Sequence, residues 1–109
     1  MKDLVSDFQK TLKTLKEENE EAMAGFQKFM DATIKDNTLD QKTKELVTLG
    51  TAITARCKYC IALHTKNCLD AGASKDEIFE VAMVAIMMGG GPAFTYATEV
   101  LKSLEEFTE

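Results

Sequence analysis

The sequence predicts an all-α protein, and three observations carry that prediction. A single proline and six glycines stand among many Leu, Ala, Met, Lys and Glu residues, a composition that favours helix over strand. Apolar residues recur at spacings of three and four along successive stretches, which gives each stretch one apolar stripe when it is helical. Between the stretches lie residues suited to helix ends, namely Asp40, Gly72 and the pair Ser74 and Glu77. At 109 residues the chain suffices for one domain, 1–109, with a modest core, and is too short for two.

The first stripe is Leu4, Val5, Phe8, Leu12 and Leu15. The charged cluster Lys16 to Glu21 holds a short break, after which Met23, Phe26, Phe29, Met30 and Ile34 form a second stripe, read as core packing. Asp36-Asn37-Thr38-Leu39-Asp40 collects turn and cap formers, so a third helix starts near Asp40 with Thr38 or Asp40 as N-cap. It carries Leu46, Val47, Leu49, Ala52 and Ile53. Arg56-Cys57 opens a fourth helix through Leu69, ended by Ala71-Gly72 with the glycine as C′ residue. Ser74-Lys75-Asp76-Glu77 has the capping-box form and starts a fifth.

That fifth helix is apolar nearly all round from Ile78 to Met88, more than a chain of this size buries alone, and so predicts a subunit interface. Gly89-Gly90-Gly91-Pro92 should stop it, with Pro92 in the first turn of a last helix bearing Phe94, Tyr96, Val100, Leu101, Leu104 and Phe107. The glycines lack the following Lys-Ser/Thr of a phosphate loop, and no strand precedes them.

A formal charge of −5, from 18 acids against 13 bases without a basic stripe, argues against nucleic acid and anionic membranes as partners. No apolar run near 18 residues and no secretory leader pattern is visible, so a cytoplasmic location is expected. In a reducing compartment three cysteines, two of them in a C-x-x-C, point to redox or metal chemistry rather than a disulfide framework.

The chemistry concentrates in Cys57-Lys58-Tyr59-Cys60-Ile61-Ala62-Leu63-His64, which holds two of the cysteines and the only histidine. On a helix, Cys57, Cys60, His64 and Cys68 share one face, with the first two Cα atoms about 5 Å apart, a separation a disulfide tolerates. Cys57 at a helix N-terminus meets the positive end of the dipole, which favours its thiolate, and Cys60 at i−4 from His64 lies within reach of the imidazole. Zinc would need four ligands around one ion, but Cys57 and Cys68 are roughly 16 Å apart along a helix, so one helix cannot supply them all. Cys57, Cys60 and His64 could bind a metal only with help from another segment or subunit, a reading that ranks below redox chemistry, and no metal is expected. Cys68 is read as core, since cysteine is among the most buried residue types.

Glu45, eleven residues, then Cys57-x-x-Cys60-x-x-x-His64 resembles the motif of the carboxymuconolactone decarboxylase superfamily in its alkylhydroperoxidase D-like branch. The resemblance runs from about Leu39 through Gly89-Gly90-Gly91-Pro92 to Tyr96. It implies an all-helical subunit whose C-x-x-C sits on an antiparallel helix pair, assembled as a trimer or hexamer. It also implies a hydroperoxide-reducing enzyme in which Cys60 attacks the peroxide, Cys57 resolves the product, and Glu45 with His64 forms a proton relay. No bound cofactor is implied; the hydroperoxide is the small-molecule substrate, and an external thiol or redox partner protein supplies the electrons.

One departure and one geometric requirement accompany that expectation. The branch can carry a histidine between the cysteines where this chain has Tyr59, and tyrosine, which ionises near about 10, is a poor proton shuttle at neutral pH. On one straight helix Glu45 would lie about 18 Å from Cys57, so the relay requires the chain to turn back near Arg56. Glu80, isolated among apolar residues, is either a solvent-side residue or a second relay member, and Tyr96, Met87 and Met88 either line a pocket over the thiols or pack in stripes. The other functional readings are a redox switch or assembly module without turnover, and a lactone decarboxylase, against which both cysteines argue.

Overall fold

The computed structural model describes residues 2–108, and every regular element among them is helical. They are α1 (Lys2–Glu18), α2 (Glu20–Ile34), α3 (Gln41–Thr54), α4 (Lys58–Asp70) and α5 (Lys75–Phe107). Only Asn19 separates α1 from α2, with φ −136° and ψ 58°. Its short amide side chain suits a break better than a helix interior. Asp40 caps α3 by accepting from the Thr43 N–H at 2.8 Å. Hydrogen bonds from Thr43, side chain first and backbone second, hold its carboxyl below the usual carboxylate range. The capping box at the head of α5 forms as expected, Glu77 N–H to Ser74 Oγ at 3.1 Å and Ser74 N–H to Glu77 Oε1 at 2.9 Å. Lys42 on α3 reaches the same Glu77 at 2.9 Å and ties the two helix starts together.

The ends of α3 and α4 share one geometry. After α4, Gly72 stands at φ 96°, its N–H bonds the Leu69 carbonyl and the Ala73 N–H bonds the Cys68 carbonyl. After α3, Arg56 stands at φ 59°, its N–H bonds the Ile53 carbonyl and the Cys57 N–H bonds the Ala52 carbonyl. Both are Schellman motifs, which satisfy the last helical carbonyls and turn the chain sharply. The turn at Arg56 is the one the relay required, and it brings α4 back alongside α3.

α3, α4 and α5 pack on one another around Leu49, Ile53, Ile61, Ile78 and Val100, all at most 1% exposed. α1 lies against α4 and adds Val5 to the buried set. The stripe on α2 is a correction: none of its residues is buried, and Phe26 and Phe29 are 51% and 65% exposed. Among the described residues α1 and α3 are the main partners of α2, which leaves Met23, Met30 and Ile34 half-buried and the two phenylalanines open. α2 is anchored instead through Lys44 Nζ, which donates to the carbonyls of Thr33 and Lys35, each at 2.8 Å.

α5 differs from expectation in a second way. The run Gly89 to Pro92 bends the helix rather than stopping it, and Gly90 alone leaves helical geometry, at φ 70° and ψ −151°. That region of backbone space is open to glycine and closed to almost everything else. Pro92 follows two residues later, where a missing N–H is tolerated as in any first turn. As one continuous element, α5 is long and apolar enough by length and composition to span a membrane, a property the interrupting glycines hide in a scan for apolar runs. The bend lets one face of it pack on α3 and α4. Its small residues Ala82 and Ala85 face inward, while Met83, Val84, Met87 and Met88 are between 58% and 74% exposed.

Candidate functional site

The site begins where α4 begins. Cys57 lies just outside the helix with an extended backbone, φ −107° and ψ 101°, and acts as its N-cap, Sγ accepting from the Cys60 N–H at 3.2 Å. The helix was expected to open at Arg56-Cys57, and it opens one residue later, at Lys58. The Schellman turn before it sets the difference, since Cys57 must donate its own N–H back to Ala52. The two cysteines are nonetheless joined in a disulfide, with Cα atoms 5.2 Å apart. Cys60, His64 and Cys68 remain on α4 at successive spacings of four.

Glu45 sits in the second turn of α3 and His64 in the middle of α4, and the turn at Arg56 brings them together. Glu45 Oε1 lies 3.0 Å from His64 Nδ1. Glu45 is only 4% exposed, while His64 is partly open to solvent. A buried carboxylate needs a donor, so Nδ1 carries the hydrogen and donates it to Glu45, and Nε2 keeps its lone pair as an acceptor. Asn67 Nδ2, 3.5 Å from the same Nδ1, is too far and too crowded by that bond to compete. Asn67 was not singled out from sequence, although its i+3 spacing from His64 is the signal that could have found it.

Cys68 is fully buried. Burial first, and the charge of Glu45 second, push its thiol up to about 12. Because this lies above the ordinary value of 9.0, the protonated thiol favours the fold at neutral pH. That contribution is lost as pH rises from 9.0 towards about 12. Reduced, folded protein treated with iodoacetamide at neutral pH should therefore be labelled at Cys57 and Cys60 and left intact at Cys68 until it is denatured. Peptide mass mapping reads this directly, and rapid native labelling of Cys68 would contradict it.

The remaining candidates lie elsewhere. Tyr59 is 46% exposed, and Tyr96 is partly buried against the core. Glu80 is exposed and borders a groove of 860 Å³ between α3 and α5, lined by Leu46, Val47, Gly50, Val81, Val84 and Met88 among others. Cys57, Cys60, His64 and Glu45 do not line it. Glu80 is thus a solvent-side residue, and Met88 belongs to this groove rather than to a pocket over the thiols. Among the described residues, no group of three or more His, Cys, Asp or Glu side chains is arranged to hold a metal ion.

Residues 20–103 match the model of the Carboxymuconolactone decarboxylase family, a span that contains the disulfide, His64 and Glu45. The chain belongs to that family. A carboxymuconolactone decarboxylase family protein of Legionella pneumophila, solved in its apo form, superposes with a TM-score of 0.95 at 35% identity, covering 99% of this chain and 96% of that one. A second family member, from Thermotoga maritima and described as having a possible role in an antioxidative response, gives 0.86 at 29% identity over 95% and 89% of the two chains. An uncharacterised protein of Cupriavidus necator is 36% identical over 80 residues, 73% of this chain and 71% of the relative. The carboxymuconolactone decarboxylase fold is therefore shared along nearly the whole chain.

Proposed function

We propose that this protein is a thiol-dependent peroxidase that reduces hydroperoxides at the Cys57–Cys60 pair. The observation that carries the reading is the buried Glu45–His64 contact, 3.0 Å long, one helical turn from a cysteine that is already paired in a disulfide. A disulfide alone fits many roles. A disulfide next to a base whose tautomer is fixed by a buried carboxylate fits proton-coupled thiol chemistry.

In the reduced protein, His64 Nε2 takes the proton of the Cys60 thiol. The thiolate attacks the terminal oxygen of the hydroperoxide, the O–O bond breaks, and the alcohol leaves with the proton that His64 held. Cys60 is then a sulfenic acid. The Cys57 thiolate, stabilised at the helix N-terminus by the Cys60 N–H, attacks the Cys60 sulfur, the S–O bond breaks, and the hydroxide takes up the proton that the Cys57 thiol released and leaves as water, giving the disulfide. Two electrons from an external thiol or a redox partner protein then reopen it, and no bound cofactor takes part. The antioxidative role suggested for the Thermotoga relative supports the same chemistry. The exposed apolar residues of α2 and α5 support assembly of copies as a trimer or hexamer, and the need for a reduced resting state suits the cytoplasm.

The test is one equivalent of hydroperoxide added to the reduced protein. Two thiols should disappear, one equivalent of alcohol should form, and mass spectrometry should place the new bond between Cys57 and Cys60 with Cys68 still free. An unchanged thiol count would overturn the proposal.

A further inference from the structure

Eighteen of the 109 residues are acidic, yet none lies between Leu46 and Leu69. That stretch instead carries Arg56, Lys58 and Lys66. Lys66 is engaged by Asp70 at 2.8 Å. Arg56 and Lys58 are exposed, flank Cys57 directly, and make no side-chain ion pair among the described residues. In sequence the disulfide of a protein with net charge −5 is thus bordered by two uncommitted cations, while the acid on its inner side, Glu45, is taken up by His64.

Arg56 has a further peculiarity. Its φ of 59° is the left-handed conformation that Gly72 adopts at the corresponding place after α4. Glycine takes that conformation without penalty, whereas a residue with a Cβ is disfavoured there. An arginine where glycine would serve the turn better indicates that the position is kept for its side chain rather than its backbone.

We infer that Arg56 and Lys58 form a cationic collar that selects an anionic thiol, a small molecule bearing carboxylates near its sulfur, as the reductant of the Cys57–Cys60 disulfide. The inference rests on the redox reading given above. The attacking species in disulfide reduction is a thiolate, an anion that the net charge of the protein repels and a local positive field draws in. A hydroperoxide is neutral at its reacting end and gains nothing comparable. Two cations beside Cys57 in the chain match the charge of a thiol with one or two carboxylates. The thiolate attacks one sulfur of the pair, the S–S bond breaks, and the other cysteine leaves as a thiolate. A second reductant thiolate then attacks the mixed disulfide, so that two thiols become one external disulfide and their protons pass to Cys57 and Cys60.

The experiment reduces the oxidised full-length chain with mercaptosuccinate, 2-mercaptoethanol and cysteamine, which are anionic, neutral and cationic beside the thiol. Rates are normalised to thiolate concentration. At about 0.01 M ionic strength mercaptosuccinate should be about five- to tenfold faster than cysteamine, and the advantage should vanish near about 1 M. The double variant Arg56→Gln/Lys58→Gln should lose the preference at low salt. So should Arg56→Gly/Lys58→Gln, whose turn is more favourable than the natural one, which separates charge from folding. A preference that persists in both variants, or equal rates for all three thiols, overturns the collar and leaves the redox reading intact. A disulfide that none of the three opens would instead overturn the redox reading itself.

Discussion

Cys60→Ser should abolish hydroperoxide reduction, lowering the rate by about 10³-fold or more, while Cys57→Ser should complete one turnover and stop. A serine oxygen cannot take up the peroxide oxygen as a sulfenic acid, so the first step has no product even with His64 in place. At position 57 the same substitution acts differently. Serine is among the best N-cap residues, so α4 keeps its cap and the fold should be retained or gain slightly. What is lost is the sulfur that closes the disulfide. A sulfenic acid then accumulates on Cys60, to be trapped with dimedone and seen as one equivalent per chain by mass spectrometry. Equal, undiminished rates in the two variants would exclude the assignment.

The second large effect concerns Glu45 and His64, and it has two readouts. Glu45→Ala should lower kcat/KM by about 10²-fold, because the imidazole loses the acceptor that holds its hydrogen on Nδ1. Glu45→Gln keeps an acceptor oxygen and should lose less, about tenfold, which separates orientation from charge. His64→Ala should be as inactive, and should also cost stability, about 2–4 kcal/mol, because it leaves a carboxylate 4% exposed without its donor. Urea denaturation of the reduced proteins measures that loss. A His64→Ala chain as stable as the parent would mean that the buried pair contributes nothing to the fold.

What the sequence disclosed about this molecule was local. Asp40, Gly72 and the Ser74–Glu77 box could be assigned because each end of a helix is decided within four residues by side chains and backbone groups already adjacent in the chain. The reversal near Arg56 was legible only as a requirement, since arginine gives no turn signal and the left-handed residue shows itself only in three dimensions. Burial was the least legible. Phe26 and Phe29 have the spacing of core residues and are exposed, because periodicity says which residues share a face and not whether anything covers it. Within the site, the row from Cys60 through His64 to Cys68 followed from helical spacing. The meeting of Glu45 with His64 came from a family resemblance and a presumed turn, and its 4% exposure could not be read from spacing at all. Glu80 was the opposite case, an acid conspicuous in sequence that the fold leaves on the outside.

The single left-handed glycine in α5 has a consequence for size. Thirty-three residues at 1.5 Å each would make a straight rod about 50 Å long, whereas the longest dimension of this chain is 39 Å. An unbent α5 would overrun the body by about two turns and carry Val100 and Leu104 beyond the residues they pack against. Folding the rod at Gly90 returns its second half to the same three-helix core that its first half covers with Ile78, Ala82 and Ala85. One residue without a side chain thus sets the outer dimension of the subunit, and any residue with a Cβ at that position would have to lengthen the molecule or strain the bend.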